Sequence, residues 1–379
     1  MVAYIAGVAL FALGIAVTIA LHEAGHLVAA RSFGMRVRRY MIGFGPEVFS
    51  RKIGQTRYGV CALPLGGFCE IAGMTALDEV TEDEEPYAMR NQARWKRVVV
   101  LLGGILMNLL IGFTILYGVA VTSGIPNPYA DRTAVVGEVL PDGTAAAADI
   151  EVGDRILAVD GEEIPDFLTL RDTVRGMPGG DAELTVERDG AERTVTVDVA
   201  DAGGVGAVGL VGAPVPEAVK RFGPAEAVPA TGAYTGELLQ GTLTALGKLP
   251  AQIPGVVASI FGAERSQESP MSVVGASRVG GELVERSLWD VFWMMLASLN
   301  FFLALFNLIP LPPFDGGHVA VVVWEAVRDR IRALRGLPPA GPADYTRLLP
   351  LTYTVGAALL ALGAVVIVAD VVNPVPLSG

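Results

Sequence analysis

The chain has 379 residues, of which 52% are hydrophobic, and its mean hydropathy is +0.49. That average is too apolar for a soluble protein and predicts an α-helical polytopic membrane protein that also carries some soluble mass. The formal net charge of −12 excludes nucleic acid as a natural partner, because binding to phosphates requires clustered Lys and Arg. Two cysteines are too few for a disulfide framework.

The first predicted element is a membrane-spanning helix, residues 1–30. Its stretch from Val2 to Ala20 contains no charged residue and is long enough to cross a bilayer, which requires about 20 apolar residues. No Lys or Arg precedes His22, so the segment lacks the basic start of a signal peptide and is expected to be retained. His22 and His26 lie four residues apart near its end, which places both imidazoles on one face of the helix.

These two histidines belong to the run His22-Glu23-Ala24-Gly25-His26, an HExxH motif. Two imidazoles in this arrangement can bind one zinc ion, which lowers the pKa of a bound water to about 7. Glu23 stands one step round the helix, where its carboxylate can act as general base. The motif also occurs by chance in helices that bind no metal. Here it lies at the end of an apolar span, where ionisable side chains persist mainly when they pair or function. The sequence therefore predicts one catalytic zinc ion.

Residues 31–97 form the next predicted segment, and basic side chains near both of its ends place it on the cytoplasmic side. Between residues 40 and 74, Gly and Pro alternate with β-forming residues, which predicts a β-hairpin with tight turns. This hairpin is apolar enough to dip into the membrane as a re-entrant element. An ordinary cytoplasmic hairpin is the alternative. A second span is predicted for residues 98–123, in which Gly103 and Gly104 allow close helix approach.

Residues 131–204 predict a soluble domain outside the membrane, because short β-forming runs alternate there with Gly and Asp turns. The stretch from Val152 to Gly161 reads VGDRILAVDG and resembles the PDZ domains of bacterial proteases. The resemblance implies an inserted α+β domain with a groove that binds an extended chain by strand addition. Residues 205–287 predict short helices that lie over the extracytoplasmic membrane surface.

The last two spans are predicted on either side of an arginine-rich loop. Residues 288–327 form the third span, which a proline cluster at 310–313 interrupts, and residues 348–373 form the fourth. The loop between them, 328–347, is predicted to be cytoplasmic. Charge bias and span count agree on four crossings of the cell membrane, with both termini and the 131–204 domain extracytoplasmic. The HExxH motif then lies towards the cytoplasmic side.

A zinc site with two histidines needs a third protein ligand. Asp315 and His318 follow the proline cluster, in a membrane segment where an ionisable group is a functional hypothesis by default. Asp315 as ligand would leave His318 as a partner of a ligand or as simple packing. His318 as ligand would complete a three-histidine site. The chemistry of the residues alone does not choose between them.

In three runs of residues the chain resembles the site-2 protease family, the intramembrane zinc metalloproteases of regulated intramembrane proteolysis. These runs are the HExxH motif, Asn307-Leu308-Ile309-Pro310 and Asp315-Gly316-Gly317-His318. The single PDZ module and the segment from Val37 to Met74 look closest to the actinobacterial members that cleave anti-sigma factors. The resemblance implies a zinc endopeptidase that cleaves the transmembrane segment of single-pass membrane proteins such as anti-sigma factors, after their ectodomains have been trimmed. The PDZ domain would then act as a size filter.

The resemblance also implies roles for individual residues. Asp315 is the implied third zinc ligand and Glu23 the implied general base. The hairpin is implied to hold substrate as an added strand near Gly66 and Gly67.

Substrate binding is further implied for Asn307, and with it Asn300. These two residues are seven apart and can share a helix face, although a helix–helix hydrogen bond is the alternative for Asn300. Two other functions stay open, namely a membrane metal transporter and a catalytically idle scaffold. Zinc-dependent cleavage of a single-pass substrate that is lost on Glu23→Gln would separate a protease from both.

Overall fold

The computed structural model describes residues 1–75, 77–266 and 269–375. The chain divides into two compact units: a helical unit made of Met1–Gly124 and Phe222–Gly379, and an inserted unit, Ile125–Arg221. The described helices are α1 (Val2–Ser32), α2 (Arg94–Thr122), α3 (Thr144–Ala147), α4 (Phe167–Arg175), α5 (Pro224–Ile260), α6 (Val273–Glu285), α7 (Trp289–Asn307), α8 (Asp315–Leu334) and α9 (Leu349–Val372). Short 3-10 turns occur at Glu85–Tyr87, Met89–Asn91 and Tyr345–Leu348.

Within the described residues, four helices are long and apolar enough to cross a membrane. They are Val2–Ser32, Arg94–Thr122, Trp289–Asn307 and Tyr345–Val372. Their number agrees with the four predicted crossings. The predicted third span, 288–327, is divided, because the proline cluster at 310–313 lacks the N–H groups that an α-helix needs. α7 ends before this cluster, and α8 begins after it and extends into the predicted loop 328–347.

The first two helices of the helical unit touch through glycine. A Cβ atom built on Gly25 of α1 would lie 2.2 Å from the Gly103 carbonyl oxygen of α2. A Cβ atom built on Gly103 would lie 2.6 Å from the Gly25 oxygen. No other residue type fits at this distance, so the two backbones approach as closely as helices can. This contact lies one residue from His26 and therefore brings α2 against the HExxH turn.

Between α1 and α2 the chain forms a long antiparallel hairpin, β1 (Val37–Ile53) and β2 (Thr56–Ile71). The hairpin folds back on itself, so that Tyr40 lies opposite Cys69 on one side and opposite Tyr58 on the other. The segment 39–42 of β1 is therefore enclosed between two segments of β2, 57–60 and 67–70, and the segment 57–60 also pairs with 49–52 on its other side. Among the described residues, the segment 67–71 has strand partners on one side only.

The base of the hairpin is fixed to the acidic segment that follows it. The Arg38 guanidinium donates to Glu84 Oε2 at 2.6 Å and to Asp78 Oδ1 at 2.9 Å. The hydrogen bond from Arg38 lowers the pKa of Glu84 below its ordinary value. The acidic patch thus serves as an anchor for the first strand of the hairpin.

The inserted unit is larger than the predicted 131–204 domain. Its strands are β3 (Ile125–Pro126), β4 (Val136–Val139), β5 (Arg155–Val159), β6 (Glu162–Glu163), β7 (Asp181–Arg188), β8 (Ala191–Asp198), β9 (Ala200–Asp201), β10 (Gly206–Ala207), β11 (Leu210–Gly212) and β12 (Val219–Lys220). β6, β5, β7 and β8 form a four-stranded sheet. β11 pairs with β4, with Leu210 opposite Val139, so the first part of 205–287 belongs to this unit. β11 has three residues, too few for an alternating pattern to be recognised in the sequence.

The structure also corrects the prediction of short helices in 205–287. α5 is one helix of 37 residues that continues through Pro229, Pro250 and Pro254. Proline usually ends or kinks a helix, because it lacks an N–H and its ring clashes with the preceding turn. α5 packs against α2, α7 and α9, and this packing outweighs the local preference of proline.

Candidate metal centre

Three predicted ligand atoms form a small triangle. His22 Nε2 lies 3.3 Å from His26 Nε2, and Asp315 Oδ2 lies 3.3 Å from each of them. Zinc in a tetrahedral site has bonds of about 2.0–2.1 Å, which separates any two of its ligand atoms by about 3.3 Å. The triangle has the dimensions of one face of such a tetrahedron. The donor set of two imidazoles and one carboxylate also matches catalytic zinc sites, so these residues fit the ion.

The imidazole of His26 is held in the orientation that a metal ligand requires. Its Nδ1 donates to the Val100 carbonyl oxygen at 2.8 Å. Because a carbonyl oxygen only accepts hydrogen bonds, Nδ1 carries the proton and the lone pair of Nε2 remains free for a metal. His22 Nδ1 is buried and finds no comparable acceptor among the described residues.

Gly104 makes room for the histidine pair. A Cβ atom built on Gly104 would lie 2.4 Å from His26 Nε2 and 2.6 Å from His22 Nε2. A side chain at this position would therefore fill the space next to the proposed metal ion. The sequence indicated close helix approach at Gly104 but not its contact with the site, because the pairing of α1 with α2 is a tertiary feature.

Asp315 reaches the histidines from the first residue of α8. A Cβ atom on the next residue, Gly316, would lie 2.2 Å from the Leu308 oxygen, and one on Gly317 would lie 2.4 Å from Pro312 N. The two glycines thus let the start of α8 pack directly on the proline loop. This packing directs Asp315 towards α1.

His318 lies one turn further along α8 and lines the same cavity. The group of potential ligand atoms within 4.8 Å of one another contains His22, His26 and Asp315. His318 instead stacks on Tyr345, with ring centroids 5.9 Å apart and an interplanar angle of 26°. This geometry favours Asp315 as the third ligand.

A cavity of about 290 Å³ joins the triangle to the hairpin. Its walls include the histidine pair, Glu23, Asn307 and the residues Gly67, Phe68 and Cys69 at the start of the free edge of β2. Gly66 lies beside this edge with φ +123°, and a Cβ atom there would lie 2.6 Å from Phe44 Cε2. Phe68 and Cys69 were not among the predicted site residues, and no motif in the sequence marks them.

The two predicted asparagines lie in different environments. Asn307 lines the cavity. Asn300 is fully buried, and its Nδ2 donates to Thr18 Oγ1 of α1 at 3.2 Å and to the Leu296 oxygen at 2.8 Å. The structure therefore favours the helix–helix hydrogen bond, which was the alternative for Asn300.

The sequence matches the description "Peptidase family M50" over residues 10–337. This chain belongs to peptidase family M50. It is similar to "Zinc metalloprotease Rip1" of Mycolicibacterium smegmatis, with 44% identity over 97% of this chain and 98% of that protein. It is 41% identical to "Zinc metalloprotease Rip1" of Mycobacterium tuberculosis (strain H37Rv) over 99% of both chains. It is 30% identical to "Membrane metalloprotease ARASP, chloroplastic" of Arabidopsis thaliana, over 82% of this chain and 68% of that protein.

These similarities confirm the predicted family and enzyme class: the M50 chain is a zinc metalloendopeptidase of the site-2 type and a multi-pass membrane protein. A solved PDZ domain of an SdrC-like protein from Listeria monocytogenes is also similar, with 19% identity and a TM-score of 0.19. It covers 21% of this chain, and 88% of that domain is matched. A score this low supports no assignment, so the PDZ fold of the inserted unit stays a prediction.

Proposed function

We propose that this M50 peptidase holds one zinc ion with His22, His26 and Asp315 and uses Glu23 as general base. The observation that supports this most strongly is the triangle of ligand atoms, which has sides of 3.3 Å. The three ligand residues and Glu23 line the same cavity. When bound, the ion would supply Lewis acidity and an acidified water. Glu23 would take a proton from the attacking water and pass it to the leaving amine.

Glu23→Gln tests the base separately from the ligands. The substitution keeps the size of the side chain and removes its basic carboxylate, so we expect zinc content to stay at the wild-type level while cleavage falls by about 10²-fold or more. The matched control is Glu79→Gln, which is expected to change neither. Cleavage by Glu23→Gln at the wild-type rate would reject Glu23 as the base.

The proposed substrate is the transmembrane segment of a single-pass membrane protein. A transmembrane helix hides its peptide bonds in internal hydrogen bonds, so hydrolysis requires local unwinding and new partners for the freed backbone. The one-sided edge 67–71 offers such partners beside the metal centre, through strand addition. Asn307 in the same cavity can bind a carbonyl or amide group of the unwound segment.

We further propose that anti-sigma factors, after ectodomain trimming, are the substrates, and that the inserted unit is an extracytoplasmic PDZ domain that filters substrates by size. The support is the resemblance of the Val37 to Met74 segment to actinobacterial members of the family. Co-expression with candidate single-pass proteins, with and without their ectodomains, tests this proposal. A truncated product that requires Glu23 and appears only for the trimmed form is expected. Equal cleavage of untrimmed forms would contradict the size filter.

A further inference from the structure

Helix α2 contacts both of the helices that carry the proposed metal ligands, α1 with His22 and His26 and α8 with Asp315. Its residue Val100 accepts the hydrogen bond from His26 Nδ1. One turn earlier, Arg97 Nη1 donates to Glu325 Oε2 of α8 at 2.7 Å. Helix α8 begins with Asp315. The same turn of α2 is therefore fixed to a ligand on α1 and to the helix that carries the third ligand.

The Arg97–Glu325 pair is buried, and both carboxylate oxygens of Glu325 accept hydrogen bonds, whereas Arg97 Nε finds no acceptor among the described residues. The exposed fractions of the two side chains are 6% and 2%. The second carboxylate oxygen of Glu325 accepts from the Ala343 N–H at 2.7 Å. One turn further along α8, Asp329 pairs with Arg94 of α2 and accepts from the Ala340 N–H at 3.2 Å. Two carboxylates of α8 thus bind α2 on one side and the 340–343 backbone on the other.

These contacts lie on one stripe of α8. Asp315, Val322, Glu325 and Asp329 are separated by seven, three and four residues, which places them on the same helix face. Val322 packs in one hydrophobic cluster with Val100 of α2. Asp315 and Glu325 lie in the same helix, about 15 Å apart along its axis. A contact that holds Glu325 on α2 therefore limits how far α8, and with it Asp315, can rotate or slide.

Buried ion pairs are weak contributors to stability, since the loss of hydration nearly offsets the attraction. A metal site, in contrast, requires its ligands to be held to within about 0.5 Å. We propose that Arg97 and Glu325 are positioning residues that set the location of Asp315 relative to His26 and thereby the zinc affinity. This inference rests on the proposed ligand set.

A second buried pair in the same helical unit provides a matched control. Arg265 Nη2 lies 2.6 Å from Asp370 Oδ1 of α9, and each side chain is 1% exposed. Asp370 also accepts from the Ser272 N–H at 2.6 Å. Like Glu325, Asp370 thus pairs with a buried arginine and accepts a backbone N–H. Neither Arg265 nor Asp370 belongs to the walls of the metal-site cavity.

The test compares Glu325→Gln with Asp370→Asn in the full-length protein, purified in detergent. Zinc affinity is measured by competition with a chelator, and the melting temperature of the metal-free protein is measured in parallel. Glu325→Gln is expected to weaken zinc binding about 10–100-fold, as is typical when a group that orients a ligand is lost. Asp370→Asn is expected to lower the melting temperature and leave zinc affinity unchanged. Arg97→Lys, which keeps the charge, should retain affinity better than Arg97→Gln.

Wild-type zinc affinity in Glu325→Gln, or an equal loss of affinity in Asp370→Asn, would overturn the proposal. If Glu325→Gln does not fold, Glu325→Asp provides the same comparison, because its shorter side chain keeps the charge and displaces the helix. Asp315→Ala in the same assay tests the ligand set separately from the positioning role of Glu325. Retained zinc affinity in Asp315→Ala rejects the ligand set itself. Its loss there, together with wild-type affinity in the Glu325 variants, rejects only the positioning role.

Discussion

Gly67 lies directly against Glu23: a Cβ atom built on Gly67 would come within 3.1 Å of Glu23 Cγ and 2.9 Å of the Met41 oxygen. The edge of the hairpin and the proposed general base are therefore neighbours, with no space between them for a side chain. A substrate strand added to this edge would lie next to the metal centre, because Gly67 and the ligand triangle line the same cavity. This proximity supports the proposal that substrate binds at this edge by strand addition.

Backbone hydrogen bonding at the edge should matter for cleavage. The Ala72 N–H donates to the Arg36 oxygen, and alternation along the strand then turns the Cys69 N–H away from β1, to the side on which it also hydrogen-bonds to the Glu23 carboxylate. Cys69→Pro removes this donor, whereas Cys69→Ala keeps it. We expect Cys69→Pro to lower cleavage of a membrane substrate about 2–10-fold below Cys69→Ala, the effect of one hydrogen bond, with zinc content unchanged.

Val48→Pro is the control for that experiment, because Val48 is exposed on the first strand, away from the metal-site cavity. Cleavage by Val48→Pro should remain close to the wild-type rate. If the proline and alanine variants at Cys69 cleave equally well, substrate does not bind through the Cys69 N–H. The interior strand around Tyr58 is unsuitable for this test, since proline there would break pairing within the hairpin itself.

Gly104→Ala should abolish the metal site. The added methyl group would occupy space 2.4 Å from His26 Nε2, so either the imidazoles or helix α2 must move. We expect zinc content well below one equivalent and loss of cleavage. Gly118→Ala is the matched control on the same helix, because a Cβ atom there meets nothing within 4 Å. Full zinc content in Gly104→Ala would show that the histidines bind no metal in the observed orientation.

The two asparagines should respond differently to alanine. Asn300→Ala removes a buried helix–helix hydrogen bond and leaves Thr18 without that donor, so the free energy of unfolding should fall by about 1–3 kcal/mol. Asn307→Ala should leave stability unchanged and lower cleavage, because Asn307 lines the cavity. Thermal unfolding and cleavage kinetics on the same samples separate the two effects. The reverse pattern would return the substrate-binding role to Asn300.

The HExxH turn could be predicted from the sequence because its geometry is local: four residues of helix suffice to align His22 with His26. The third ligand could not be chosen that way, since Asp315 is separated from His26 by most of the chain. Only the packing of Gly316 and Gly317 on the proline loop places it beside α1. The family resemblance pointed to Asp315, the candidate that the geometry favours, whereas residue chemistry left His318 open.

The hairpin and α5 also contain features of secondary structure that could not be predicted from the local sequence. Gly and Pro spacing indicated strands and turns between residues 40 and 74, yet the backward fold that leaves 67–71 as an edge depends on pairing between distant segments. In α5, Pro229, Pro250 and Pro254 suggested short helices, whereas contacts with three other helices keep one helix intact. In α5 packing overrode the local preference of proline, and in the hairpin pairing between distant segments set a register that local preference does not specify.

The proposed orientation in the membrane rests on the arginine-rich loops and can be tested with fusions. A reporter inserted after Gly190 of the inserted unit should behave as extracytoplasmic, and one fused after Arg335 as cytoplasmic. The opposite pattern would place the metal centre towards the outer face of the membrane. Substrates would then have to enter the metal centre from the outer side of the membrane.

The most direct test of the metal centre is the zinc content of two purified variants, Asp315→Ala and His318→Ala, measured by elemental analysis beside the wild type. With His22, His26 and Asp315 as the ligands, the wild type and His318→Ala should each hold one zinc per chain, and Asp315→Ala should hold far less. Full zinc in Asp315→Ala together with its loss in His318→Ala would contradict the assignment and identify a three-histidine site.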